Sequence, residues 1–143
     1  MTDREKIEIL QKYRHELEKI EYIECEILFW RSKAERMTVC YGGAGSSGGR
    51  DSRQIESAIL CIDDLISQLA DQVAQAVQYR LRIDNALDAV PDSKLRHLLY
   101  CRYIAGETWD NIAESMSYTV RNVHRLHGNA LELLRLERHS KAV

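Results

Sequence analysis

Four polar side chains, Arg121, Asn122, His124 and Arg125, follow closely on Thr119 in the stretch "YTVRNVHRLHGNALELL". Their chemistry suits the edges of bases: an Arg guanidinium can take guanine bidentately, an Asn amide can pair with adenine, and an imidazole offers one donor and one acceptor. If Thr119 opens a helix, its hydroxyl and the free N–H groups behind it suit a phosphate oxygen. The same residues also fit an ordinary solvated helix face. The elements that carry them must decide between the two.

Other chemistries are thinly supported. His97 with Cys101, and His124 with His127, have the spacing of paired metal ligands on a helix, but neither pair has a third ligand, so no metal is expected. Asp63 with Asp64 and Asp84 with Asp88 pair carboxylates without a Ser-His-Asp or Cys-His set beside them, and they read as solvated charges. Cys25, Cys40, Cys61 and Cys101 are far apart and show no C-x-x-C, which implies reduced thiols. The run "YGGAGSSGGR" is glycine-rich like a phosphate-cradling loop, yet it lacks the G-x-x-x-x-G-K-[ST] pattern and follows no strand. Neither enzymatic activity, nor a cofactor, nor a small-molecule substrate is expected.

Composition bounds the architecture. With 143 residues, 45% of them hydrophobic, the chain can build one modest domain or two small pieces, too little for a large catalytic core with an elaborate cleft. There is one Pro, and five of the seven Gly fall between Gly42 and Gly49, so the rest is almost free of helix breakers. No apolar run approaches the roughly 18 residues that span a bilayer, and the charged start "MTDREKIEIL" is unlike a signal sequence. No membrane association is expected, and the cytoplasm is the expected location. Charge is uneven: residues 1–90 carry 12 Lys/Arg against 16 Asp/Glu, and residues 91–143 carry 8 against 6. An acidic N-terminal piece and a mildly basic C-terminal piece suggest a division of labour.

The elements follow from periodicity. Apolar residues recur at steps of three and four from Ile7 through Leu17, Ile27 and Trp30 to Met37, which predicts a helix over about 3–39 with one apolar stripe. A flexible loop is expected over 40–50, then a second helix over about 51–89. In the second helix, positions 55, 59, 62, 66, 69, 73, 76, 80, 83, 87 and 90 alternate steps of four and three, and all are apolar except Arg80. Such a repeat keeps a seam turned toward a partner helix, with Arg80 setting register or facing an acidic partner. At about 1.5 Å per residue each helix would extend roughly 55 Å and cannot bury its stripe alone. A long antiparallel hairpin over 1–90 is expected, with Phe29, Ile59 and Leu60 left over to draw in a second copy as a dimer.

Val90-Pro91 ends the second helix. Residues 91–143 then divide into three shorter helices: one capped by Asp92 or Ser93 and running to Gly106, one capped by Thr108, and one capped by Thr119 after a tight turn at Ser117 and Tyr118. The last places Val123, Leu126, Ala130, Leu131 and Leu134 toward its neighbours, with His127, Trp109 and Tyr103 read as core. Lys94, Arg96 and Arg102 are candidates for a phosphate or a protein contact. Two short helices joined by a tight turn form a helix-turn-helix, whose second member enters a major groove. That makes Thr119, Arg121, Asn122, His124 and Arg125 the expected DNA-binding residues.

"RYIAGETWDNIAESMSYTVRNVHRLHGNALELL" resembles region 4 of bacterial sigma factors and the related helix-turn-helix of phage late transcription regulators of the ArpU and RinA type. The shared pattern is RY-x-x-G-x-[ST]-[WY]-x-x-IA, then a turn, then x-x-V-x-R-x-x-x-x-A-L, over about residues 92–136; Ser117 stands where many relatives carry Gly. Two long helices around a Gly/Ser loop also resemble a family of phage proteins from Gram-positive hosts. The resemblance implies an all-α protein with a sigma-region-4-like domain behind a coiled-coil oligomerisation module. It further implies a phage-type transcription regulator that binds double-stranded DNA, with RNA polymerase as a further partner, in a bacterial host cytoplasm. Two alternatives share these features: a small terminase subunit for DNA packaging, and a protein-protein adaptor that binds RNA polymerase or a host factor.

Overall fold

In the computed structural model, which describes residues 1–41 and 48–137, all regular structure is helical and no strand occurs among the described residues. Helix α1 spans Asp3–Tyr41 and α2 spans Gly48–Asp88. They are followed by α3, Ser93–Leu99, which widens into a π turn at Tyr100–Ile104, then by α4, Trp109–Met116, and α5, Val120–Leu133. Helical structure therefore reaches into both ends of the loop expected at 40–50. The centre of that loop, 42–47, and the side chain of Cys40 lie outside the described residues. No described helix is long and apolar enough to cross a membrane.

Local chemistry explains where these helices start and stop. Thr2 and Glu5 close a reciprocal capping box at the head of α1. The Thr2 N–H donates to Glu5 Oε2 at 3.1 Å, and the Glu5 N–H donates to Thr2 Oγ1 at 3.3 Å. Asp92 caps α3 by accepting from the Lys94 N–H at 2.9 Å, as a short acceptor side chain does at an open helix start. The third helix does not stay α-helical to Gly106. Instead the Ala105 N–H reaches back to the Tyr100 carbonyl at 3.0 Å, the i to i+5 spacing of a π turn. Gly106, at φ +72°, then reverses the chain in a left-handed conformation open to a residue without Cβ.

The chain divides into two compact units, Met1–Glu16 with Ala76–Val143, and Leu17–Gln75. In the first, Leu98, Cys101, Ile112, Ala113 and Val123 are buried together, with Trp109, Met116, Tyr118 and Leu126 packed around them. Leu10 of α1 and Ile83 of α2 are also fully buried. The start of α1 is tied to the later helices by polar links: Lys6 Nζ donates to the Leu131 carbonyl, and Arg14 Nη1 to the Ile104 carbonyl at 3.2 Å. Arg80, expected to set register or meet an acidic partner, instead donates from Nε to Asp84 at 3.0 Å and from Nη1 to the Tyr13 hydroxyl at 3.2 Å. Its guanidinium also lies 5.6 Å from the Tyr13 ring centre. Partners within the chain, a carboxylate, a phenol and an aromatic face, thus satisfy the charge.

In the second unit the expected single seam of α2 divides. Ala58 is buried and Ile62, Leu65 and Leu69 are half-buried, whereas Ile59, Ile66 and Val73 are exposed. At about 3.6 residues per turn the line through 59, 66 and 73 lies on average about 80° around the helix from the line through 58, 65 and 69, so the two do not meet one neighbour equally.

Candidate nucleic-acid interface

Two side-chain caps and one left-handed residue set the geometry between α4 and α5. Thr108 caps α4 by accepting from the Asn111 N–H at 3.2 Å. Ser117 takes φ 58° and ψ 38° at its end. The Tyr118 N–H returns to the Ala113 carbonyl at 2.9 Å, which consumes a free carbonyl of the last turn. Glycine is the residue with no steric cost in that conformation, and a serine there holds it against a cost of about 1 kcal/mol. Thr119 then caps α5 by accepting from the Asn122 N–H at 3.1 Å, the same device as at α4.

One side of α5 is anchored and the other is open. Val123, His127, Ala130 and Leu131 are buried, while Thr119, Arg121, His124 and Arg125 are exposed and Asn122 is half-buried. All five candidates thus lie in the cap and first two turns of one helix; beside the capping Thr119, the other four side chains fall into three groups. Arg121 is exposed on the outer face. Asn122 and Arg125 are paired, the amide oxygen accepting from Arg125 Nε at 3.2 Å and Nη2 at 2.9 Å. His124 leans on Trp109, with ring centres 4.6 Å apart.

Trp109 is half-buried at the centre of a stack. The Arg102 guanidinium lies 4.3 Å from its ring centre, close enough for the cation to feel the indole face. Arg102 Nη1 also donates to the Glu107 carbonyl at 3.0 Å. His127 meets the same indole edge-on at 4.7 Å. Beneath it, the Tyr103 hydroxyl and His127 Nε2 are 2.7 Å apart. Burial, with the neighbouring His124 and Arg102 adding to it, pushes the His127 pKa down to about 4, and burial raises Tyr103 to about 12. In both cases the buried site disfavours the charged form. Both groups are neutral near pH 7, and one hydrogen bond between the phenol hydroxyl and a neutral imidazole nitrogen satisfies the pair. A second cationic group borders the turn: Lys94 Nζ donates to the Tyr118 hydroxyl at 3.1 Å, a hydrogen bond that raises the lysine above its ordinary value.

The Arg102–Trp109–His124 stack and the Lys94–Tyr118 pair are not legible as units in the sequence. Each joins residues from separate helices or a helix and a turn, and no local spacing announces them. Elsewhere, Cys101 Sγ lies 3.5 Å from His97 Nε2, and burial raises the thiol, which keeps it protonated and unreactive. Among the described residues no three His, Cys, Asp or Glu side chains converge as metal ligands. Comparison with protein-family models, with curated proteins and with solved structures gave no match.

Proposed function

We propose that the chain is a sequence-specific DNA-binding transcription regulator of the phage type. In it α4 and α5 act as a helix-turn-helix of the sigma-region-4 kind, and α5 lies in a major groove. The observation that carries this reading is the two-sidedness of α5: Val123, Ala130 and Leu131 are buried, and the leading turns present Arg121, His124 and Arg125 to solvent. Docking by the N-terminal part of the second helix needs that arrangement. Thr119 and the first amides of α5 meet a phosphate, with Lys94 placed to meet another.

The long helices form an antiparallel hairpin in this reading, supported by the Tyr13 and Arg80 contact between the early turns of α1 and the late turns of α2. The hairpin joins two copies or holds a partner such as RNA polymerase, and pairing two modest readers makes the second DNA contact intramolecular. No catalysis and no cofactor are involved.

The test is to sequence DNA fragments retained by the purified protein at low and at high salt. An enriched motif whose retention falls steeply with salt is the expected result, because phosphate contacts release counterions. Arg121→Ala combined with Arg125→Ala should abolish the enrichment. Retention without any motif, or a motif indifferent to that double substitution, overturns the assignment.

A further inference from the structure

In the second unit, both α1 and α2 leave an apolar face open to water. On α1, Leu28 is 59% and Phe29 51% exposed, and these two form a shallow recess bordered by Lys33 and Arg36. On α2, Ile59 is 49% and Leu60 69% exposed, and the exposed line continues at seven-residue spacing through Ile66 and Val73. Single exposed apolar residues are ordinary on any protein. Here they recur along a helix line, as they do where a helix meets another helix.

On α1 the Leu28 side is bordered by exposed Glu24 and Glu35, but the Phe29 side is bordered by positive charge, opposite in sign to the border of the α2 face. Lys33 and Arg36 are exposed beside Leu28 and Phe29, and the Lys33 ammonium lies 5.7 Å from the Phe29 ring centre. Asp63 and Asp64 are exposed beside Ile59 and Leu60. From Gln54 to Tyr79, α2 carries Glu56, Asp63, Asp64 and Asp71 and no Lys or Arg. A basic-rimmed apolar face and an acidic-rimmed apolar face complement each other, and flanking charges of this kind select the partner helix.

We propose that the chain pairs with a second copy of itself through these faces. The α1 face of one copy, centred on Leu28 and Phe29, seats on the α2 face of the other, centred on Ile59 and Leu60 with Ile66 at its edge, and Lys33 and Arg36 stand opposite Asp63 and Asp64. A two-fold axis forms the contact twice. The open apolar side chains of the two faces expose on the order of several hundred Å² per copy, comparable with the roughly 800 Å² per partner of a standard interface. This specifies the self-association named under the proposed function and does not depend on any contact between α5 and DNA.

Sedimentation equilibrium of the full-length protein without DNA tests it, with circular dichroism to verify that each variant is helical. Twice the protomer mass is expected for the native sequence. Lys33→Glu with Arg36→Glu should weaken pairing at least tenfold, as should Asp63→Lys with Asp64→Lys, and the fourfold variant that combines them should restore it. A monomer at every concentration, a mass unchanged by either reversal, or a folded fourfold variant that stays monomeric overturns the proposal. If a reversed variant loses its helix signal, Leu28→Gln and Ile59→Gln carry the same test, and undiminished pairing in both overturns it. The readout is mass without DNA, so a negative result removes the interface and leaves the α5 assignment to be judged by its own motif.

Discussion

Asn122 and Arg125 form one unit on α5: the amide oxygen of Asn122 accepts both the Nε and the Nη2 hydrogen bonds of the Arg125 guanidinium. Both lone pairs of that oxygen are used, so in this arrangement Asn122 has no acceptor left for the adenine amino group. If α5 reads DNA as proposed, base discrimination at this point falls to Arg125, with Asn122 positioning it. The selected motif should contain a guanine that disappears in Arg125→Ala, a loss of about 5- to 150-fold in discrimination. In Asn122→Ala the guanine preference should fall partway, and Asn122→Asp should keep it, at lower overall affinity, because a carboxylate holds the guanidinium while repelling phosphate. If Asn122→Ala instead erases an adenine position and leaves the guanine intact, the positioning role is wrong.

The Tyr103–His127 pair makes stability depend on pH with a defined sign. The folded pKa of His127, about 4, lies below the ordinary 6.5, so the unfolded chain binds more protons between these values. The stabilisation is fully present above pH 6.5 and is lost as the pH falls toward 4. Between about pH 7.5 and about pH 4.5 this amounts to about 2 kcal/mol. Urea unfolding at the two pH values should show that difference in the native sequence and a smaller one in His127→Gln, whose amide does not titrate. Equal differences would assign the acid sensitivity to other groups. Near neutral pH, Tyr103→Phe should cost about 1–3 kcal/mol by leaving the imidazole nitrogen buried without its partner.

Gly106 combines a left-handed backbone with a close neighbour. A Cβ at this position would stand 2.5 Å from Arg14 Nη2 and 2.6 Å from Arg14 Cζ. The guanidinium can swing away, so the clash itself is cheap, but moving it breaks the hydrogen bond from Arg14 to the Ile104 carbonyl. The left-handed backbone adds a cost of about 1 kcal/mol for any residue with a side chain. With the lost hydrogen bond included, Gly106→Ala should destabilise by about 2 kcal/mol. Thermal unfolding of Gly106→Ala beside Arg14→Ala separates the two contributions. A Gly106→Ala protein as stable as the native one would contradict both.

Local chemistry in the sequence predicts the helix starts at Asp92, Thr108 and Thr119, because an N-cap bond spans only two or three residues. The all-helical class is legible for a similar reason: breakers are nearly confined to Gly42–Gly49 and Pro91, and little else punctuates the chain. What depends on packing is not. The heptad reading puts Ile59, Ile66 and Val73 of α2 in the seam with Ala76, whereas Ala76 is buried, those three are exposed, and Ala58 and in part Leu65, which the seam omits, are covered. Arg80 looks like a break in that seam until Tyr13, 67 residues away, supplies its partner. The spacing of Trp109 reads as core, yet it is half-buried because Arg102 and His124 cover its ring in place of apolar side chains.

Gly128 offers a separate test of which face of α5 is used. At i+7 from Arg121 and i+3 from Arg125, it stands on the same face of the helix as those two residues. A Cβ added there would meet nothing within 4 Å. Glycine inside a helix is worse than alanine by about 1 kcal/mol, so Gly128→Ala should stabilise the protein by about 0.5–1 kcal/mol in urea unfolding. Gly128→Leu should also fold, since its side chain projects into open space. If this face enters a groove, the leucine intrudes where the duplex approaches, and motif binding should fall at least tenfold while stability is kept. A Gly128→Leu protein that binds the motif as tightly as the native one would mean that the duplex, if it is bound, meets a different face of α5.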